Sequence, residues 1–120
     1  MLREKGVKVS IADLCRDDMA EAIEDAFKYD RLVVAASSYD ADVFPPMHDF
    51  LHHLQMKNYQ KRRVGIIENG SWAPCAGRIM KGMLEQMKDI DILDPVVTLR
   101  SRMKQTDLPA LEALADAILR

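Results

Sequence analysis

The sequence predicts an α/β fold with a parallel sheet and helices on both faces. Three observations carry this. Short β-rich apolar runs alternate with stretches of helical periodicity, as strand then helix, four times over. Two of those runs, RLVVAASSY (residues 31–39) and RVGIIENG (residues 63–70), are continuous rather than alternating, as strands covered on both faces are. The chain has 120 residues, 48% hydrophobic and 30% charged, which suits a single domain over residues 1–120 with a real core.

Taken in order, VKVSIADL (residues 7–14) is partly alternating and reads as the first strand. Asp17 can cap the helix that follows, where Met19, Ala20, Ile23, Ala26 and Phe27 recur at helical spacing. RLVVAASSY is the second strand. DADVFPP (residues 40–46) reads as a loop, because Pro45 and Pro46 exclude a helix interior. Residues 47–58 form a helix with Phe50, Leu51 and Leu54 inward, and RVGIIENG is the third strand. Pro74 suits the first turn of a helix running to about Lys88. Residues 90–99 carry a short strand broken at Pro95. The last helix starts near Thr106, with Thr106 or Asp107 as cap, Pro109 in its first turn, and Leu111, Leu114, Ala115, Ile118 and Leu119 as its stripe.

Composition narrows the function. A net charge of -2 and a pI near 5.9 do not favour polyanions, so no nucleic-acid partner is expected. No run approaches the roughly 20 apolar residues of a membrane helix, and the first residues lack the apolar core of a signal peptide. Cys15 and Cys75 are too few for a disulfide framework and lack metal-ligand spacing, which fits a reduced, cytoplasmic protein.

In open α/β sheets, ligands bind outside the carboxyl ends of the strands. Two loops here leave strand ends with small polar residues: SSYDADVFPP (residues 37–46) and ENGSWAPCAG (residues 68–77). Each carries an aromatic early on, Tyr39 and Trp72. Backbone N–H groups in such loops can bind ligand oxygens, and the aromatics can stack on a flat ring. The competing reading is that Trp72 caps a helix end and Tyr39 covers the sheet edge.

SSYDADVFPPMHDFLHHL resembles the third strand, loop and helix of flavodoxin-like domains. More narrowly, it is similar to the flavodoxin domain of the A-type flavoproteins, or flavodiiron proteins. Ser38, Tyr39, Phe44, Pro45, Pro46, Asp49, Phe50 and Leu51 match that family's wording, whereas Asp40 stands where Asn is more usual. Gly70, Ser71, Trp72, Ala73 and Ala76 match its next flavin loop. The resemblance implies an FMN-binding electron-transfer domain of an oxidoreductase, with the ring between the two loops. It implies a cofactor site of Ser37, Ser38, Tyr39, Asp40, Ala41, Asn69, Gly70, Ser71, Trp72, Ala73 and Cys75. Stacking, N–H donors and low dielectric near the ring would set its potential.

The resemblance also implies a departure. Flavodoxins open with a strand and a Ser/Thr- and Gly-rich loop that wraps the FMN phosphate at a helix N-terminus. MLREKG instead looks like the tail of that first helix, and VKVSIADL like the second strand. The amino-terminal di-iron domain of these relatives is not in this sequence either. The chain is therefore expected to be a truncated flavodoxin-like domain, a carboxy-terminal fragment or the product of an internal start at Met1. It would hold FMN weakly or not at all, and would not by itself reduce oxygen or nitric oxide. The expected partners are a redox protein or the parent's di-iron domain. The alternative is a flavin-free remnant serving as an interaction or dimerisation module. Without the first strand, VKVSIADL either moves over to pair with RLVVAASSY or a second copy fills the gap, and the exposed edge favours a homo-oligomer.

Three further features have plainer readings. His48, His52 and His53 form a solvated helix face rather than a metal site. Met80, Met83 and Met87 are core filler, and Cys75 is a small residue fitting its loop. Lys61, Arg62 and Arg63 are a solvated strand edge.

Overall fold

A computed structural model describes residues 6, 8–39, 42–70, 75–93, 96–100 and 104–119, with backbone alone at 38–39 and 42–43. Its first helix, α1 (Met19–Lys28), is capped by the Asp18 carboxylate, which accepts from the Ala20 N–H at 3.2 Å. Asp17 is one residue too early for that role and accepts from the Asp13 N–H instead. Strand β1 (Arg31–Tyr39) covers the whole run read as the second strand. The chain then doubles back as β2 (Asp42–Val43), so the stretch expected to be a loop holds a short antiparallel pairing. Pro45 and Pro46 open α2 (Pro45–Met56), since the first turn needs none of their missing N–H groups.

Asn58 ends α2. It takes the left-handed conformation at φ 61°, and the Tyr59 N–H returns to the Leu54 carbonyl. Strand β3 (Arg62–Asn69), helix α3 (Ala76–Glu85) and strands β4 (Ile90–Ile92) and β5 (Val97–Leu99) follow. A 3₁₀ turn (Gln105–Asp107) leads into α4 (Leu108–Leu119).

The sheet order is β2-β1-β3-β4, with β5 also on β3. β1, β3, β4 and β5 run parallel. β4 pairs the start of β3 and β5 its end, so one strand position is filled in two pieces, ending at Ile92 and resuming at Val97; Pro95, where the break was expected, lies outside the described residues. Val34, Val64 and Ile66 face the helical layer of α1, α2 and α3, where Leu51, Leu54, Met80 and Leu84 are fully buried. Gly65 points the other way. A Cβ there would lie 2.8 Å from Leu114 Cδ1, so its missing side chain lets α4 seat on the opposite face.

Two expectations need correction. Residues 8–13 form no strand, and no ladder joins them to β1. A strand exists only through its partner, and a cavity separates this segment from β1. The alternation in VKVSIADL therefore has no sheet to express it, and Ile11 is 75% exposed. The basic run is not a solvated edge throughout either. The Arg62 guanidinium is turned inward and donates to the carbonyls of Phe27, Tyr29 and Gln60.

Arg62 also lies 5.1 Å from the centre of the Tyr59 ring, which meets Phe27 edge-on. The Tyr59 hydroxyl is buried with no hydrogen-bond partner among the described residues. Burial pushes its pKa up to about 12, against the opposing pull of Arg62. The unfolded phenol titrates at 10.0, so the folded chain keeps a proton that the unfolded chain loses. Stability is therefore full below that pH and declines as pH rises from about 10 to about 12. Tyr59→Phe is expected to add about 1 kcal/mol at neutral pH, because a dry hydroxyl is removed, and to flatten the alkaline decline. Urea unfolding at pH 7 and pH 11 measures both. A less stable phenylalanine variant would give the hydroxyl a partner and overturn this.

Candidate functional site

Strand register builds the site. Parallel pairing sets Ser37 of β1 beside Asn69 of β3, and Asn69 beside Leu99 of β5. Three strand ends thus stand in a row at the carboxyl edge, where open α/β sheets bind ligands. The two loops singled out in the sequence leave from adjacent positions in that row.

The first loop is held by main-chain bonds. The Phe44 N–H donates to the Ser37 carbonyl at 2.9 Å, and Ser38 and Tyr39 pair with Val43 and Asp42. These bonds hold both ends of the loop together and lead the chain into α2. The second loop is anchored at both ends. At its start the Gly70 N–H donates to the Leu99 carbonyl at 3.1 Å. At its far end Glu68 takes over. One carboxylate oxygen accepts from the Gly77 N–H at 2.5 Å, in the first turn of α3, and the other from Thr98 Oγ1 at 2.8 Å on β5. A half-buried carboxylate thus complements a helix N-terminus while tying three elements together.

Glu68 was not among the expected site residues. Its only signal in the sequence is a charge that closes a buried apolar strand directly before a Gly-rich loop.

Of the expected residues, the structure brings Ser37, Ser38, Tyr39, Asn69 and Gly70 to one edge. Cys75 is buried at the N-cap position of α3, where its carbonyl accepts from the Ile79 N–H, in line with a residue chosen to fit. Asp40, Ala41, Ser71, Trp72 and Ala73 lie outside the described residues, as does Pro74. His48, His52 and His53 are all exposed on α2, and Met80 and Met87 are buried in the core with Met83 packed against it. The described residues hold no group of three or more His, Cys, Asp or Glu arranged to bind a metal. No helix among them is long and apolar enough to cross a membrane.

No family model matches the chain, and no curated protein matches its sequence. Its fold is similar to that of rubredoxin:oxygen oxidoreductase from the anaerobe Desulfovibrio gigas, with TM-score 0.89 and 15% identity over 97% of this chain. The chain spans only 29% of that protein's length. A flavodoxin from the domain Archaea aligns with TM-score 0.83 and 18% identity, covering 98% of this chain and 79% of that one. Flavodoxin 1 from Bacillus cereus aligns with TM-score 0.81 and 14% identity, covering 98% and 81%. The fold is flavodoxin-like.

Proposed function

We propose that this chain is a flavin-binding electron-transfer domain that holds the ring of FMN between the loops after β1 and β3. The observation that carries the reading is the register that places Ser37, Asn69 and Leu99 side by side. The residues fit the ring half of the cofactor. On this reading the sequence of the two loops carries the ring half of the site: backbone N–H groups of the small residues around Ala41 and Ser71 would meet its polar edge, and Tyr39 and Trp72 would offer aromatic faces. The phosphate half is not matched among the described residues. Among the described residues no Gly-rich turn leads from a strand into a helix beside β1.

Bound flavin supplies the redox chemistry. The chain's own residues bind and orient the ring, and Glu68 fixes the loop that carries Trp72. Within this reading, electrons pass to or from a protein partner, either a separate redox protein or a di-iron domain of the rubredoxin:oxygen oxidoreductase kind.

Titration of the purified chain with FMN and with riboflavin tests this. Both are expected to bind, within about threefold of each other, because among the described residues no Gly-rich helix N-terminus beside β1 offers the phosphate charge-assisted donors. Trp72 emission is expected to fall as flavin is added. Trp72→Ala is expected to weaken binding by about 1 kcal/mol, roughly fivefold. Unchanged emission at saturating flavin would leave Trp72 a structural residue. Strong preference for FMN would show a phosphate site elsewhere in the chain.

A further inference from the structure

The end of β3 carries a reactive pair that the flavin reading does not use. The strand closes on Asn69, and Gly70 follows it. The carbonyl carbon of an asparagine carboxamide is an electrophile, and the next main-chain nitrogen is the nucleophile placed to reach it. Attack closes a succinimide ring. Glycine is the most permissive residue on the nucleophile's side. With no Cβ it neither shields the nitrogen nor restricts the rotation that brings the two groups together.

The fold holds this pair apart with a small latch. Pairing of Asn69 with Ser37 and with Leu99 keeps it extended, so its side chain stands off the sheet face while the next N–H lies in the plane of the ladder. The Gly70 N–H is committed to the Leu99 carbonyl at 3.1 Å. Beside it, Thr98 Oγ1 donates to the Glu68 carboxylate at 2.8 Å. Both bonds reach to β5, a strand of only three residues. Asn69, Gly70 and Leu99 are half-buried and Thr98 is exposed, so water reaches the latch. A short strand held in this way opens far more often than the middle of β3, where Val64 and Ile66 are fully buried.

Asn58, the chain's other asparagine, is the opposite case. The nitrogen after it belongs to Tyr59, a buried aromatic residue whose N–H is bound to the Leu54 carbonyl at 3.0 Å.

We infer that Asn69–Gly70 is a site of spontaneous deamidation, and that the docking of β5 on β3 is the gate that sets its rate. When β5 lifts, the Gly70 nitrogen is released and Asn69 can leave the extended conformation. The nitrogen attacks Asn69 Cγ. The N–Cγ bond forms, the Cγ–Nδ2 bond breaks, and ammonia leaves with the proton that the Gly70 nitrogen gave up. Water then opens the succinimide at either carbonyl, leaving aspartate or isoaspartate. No electrons are transferred. Isoaspartate carries an extra main-chain carbon at residue 69, so Gly70 no longer meets the Leu99 carbonyl and the latch stays open. The modification thus runs in one direction, at the strand end from which the second candidate loop leaves. It does not rest on flavin binding.

The test follows the full chain, folded and unfolded in guanidinium chloride at one pH and temperature. The readout is mass spectrometry of the tryptic peptide of residues 64–78, with isoaspartate separated from aspartate by chromatography. Asn69 is expected to convert in both states, at least about tenfold more slowly when folded, and Asn58 more slowly than Asn69. Amide exchange by NMR supplies the second measurement. Because one opening exposes the same nitrogen, the slowing of deamidation is expected to match the exchange protection of the Gly70 amide within about threefold. Thr98→Val, checked for folding by circular dichroism, removes one bond of the latch and is expected to raise both rates at least about threefold. Equal rates in folded and unfolded chains would remove the gate. Slowing that matches the amides of Val64 and Ile66 rather than Gly70 would place the reaction in the globally unfolded chain and overturn the inference. So would the absence of product at Asn69, or faster conversion of Asn58.

Discussion

Replacing Arg62 with alanine is expected to destabilise the chain by about 3 kcal/mol, because one guanidinium serves three carbonyls from two segments. It donates to Tyr29 at 2.9 Å, Gln60 at 2.7 Å and Phe27 at 3.0 Å. The Phe27 carbonyl belongs to the last turn of α1, where no helical N–H remains to reach it. Arg62 also covers the Tyr59 ring, so its loss opens a packed contact as well as three hydrogen bonds. Each charged bond alone is worth about 1.5–3 kcal/mol, and the sum is reduced because water can reach part of the site. Arg62→Lys is expected to recover less than half, since an ammonium cannot span the three acceptors from one position. Urea unfolding of the three proteins decides this. A loss below about 1 kcal/mol for the alanine variant would mean that water replaces the guanidinium without penalty.

That role could not be read from the sequence, and the reason is general for this chain. RLVVAASSY was legible because a strand covered on both faces needs only its own apolar run to declare itself. The helix of Phe50, Leu51 and Leu54 was legible for a similar reason, since its spacing alone marks the buried side. VKVSIADL had the same local signal as a strand and failed, because pairing is decided by the neighbour and the neighbouring place is open. Pro45 and Pro46 pointed correctly to a boundary, but on the helix side of it. At the candidate site, Gly, Ser and the aromatics singled out two loops in the sequence. Their being adjacent follows from the register of Ser37, Asn69 and Leu99, which no single segment encodes. Glu68 was missed on the same ground. Its partners sit 9 and 30 residues further along the chain and meet it only once β5 has docked.

Gly77→Ala is expected to cost about 2–3 kcal/mol and to weaken flavin binding, and both effects should run through Glu68. A Cβ at residue 77 would lie 2.6 Å from a Glu68 carboxylate oxygen and 2.9 Å from Val96 Cγ1. The carboxylate is the more movable of the two, so it swings away and leaves the α3 N-terminus without its anion. Glu68→Ala is expected to cost about 2 kcal/mol, by losing the bonds to Gly77 and Thr98 directly. If both changes break the same contact, the double variant must cost less than their sum, by at least about 1 kcal/mol. Gly82→Ala is the control, because nothing lies within 4 Å of a Cβ there, and in mid-helix it is expected to be neutral or stabilising by up to about 1 kcal/mol. The effect on binding follows from the anchoring of the loop. It hangs between the Gly70 bond to Leu99 and the Gly77 bond to Glu68, so on the proposed flavin reading releasing one end adds conformational freedom that binding would then have to remove. Additive costs in the double variant would separate the two residues. Unchanged flavin affinity in Glu68→Ala, in a chain whose wild type binds flavin, would confine the carboxylate to stabilising the fold.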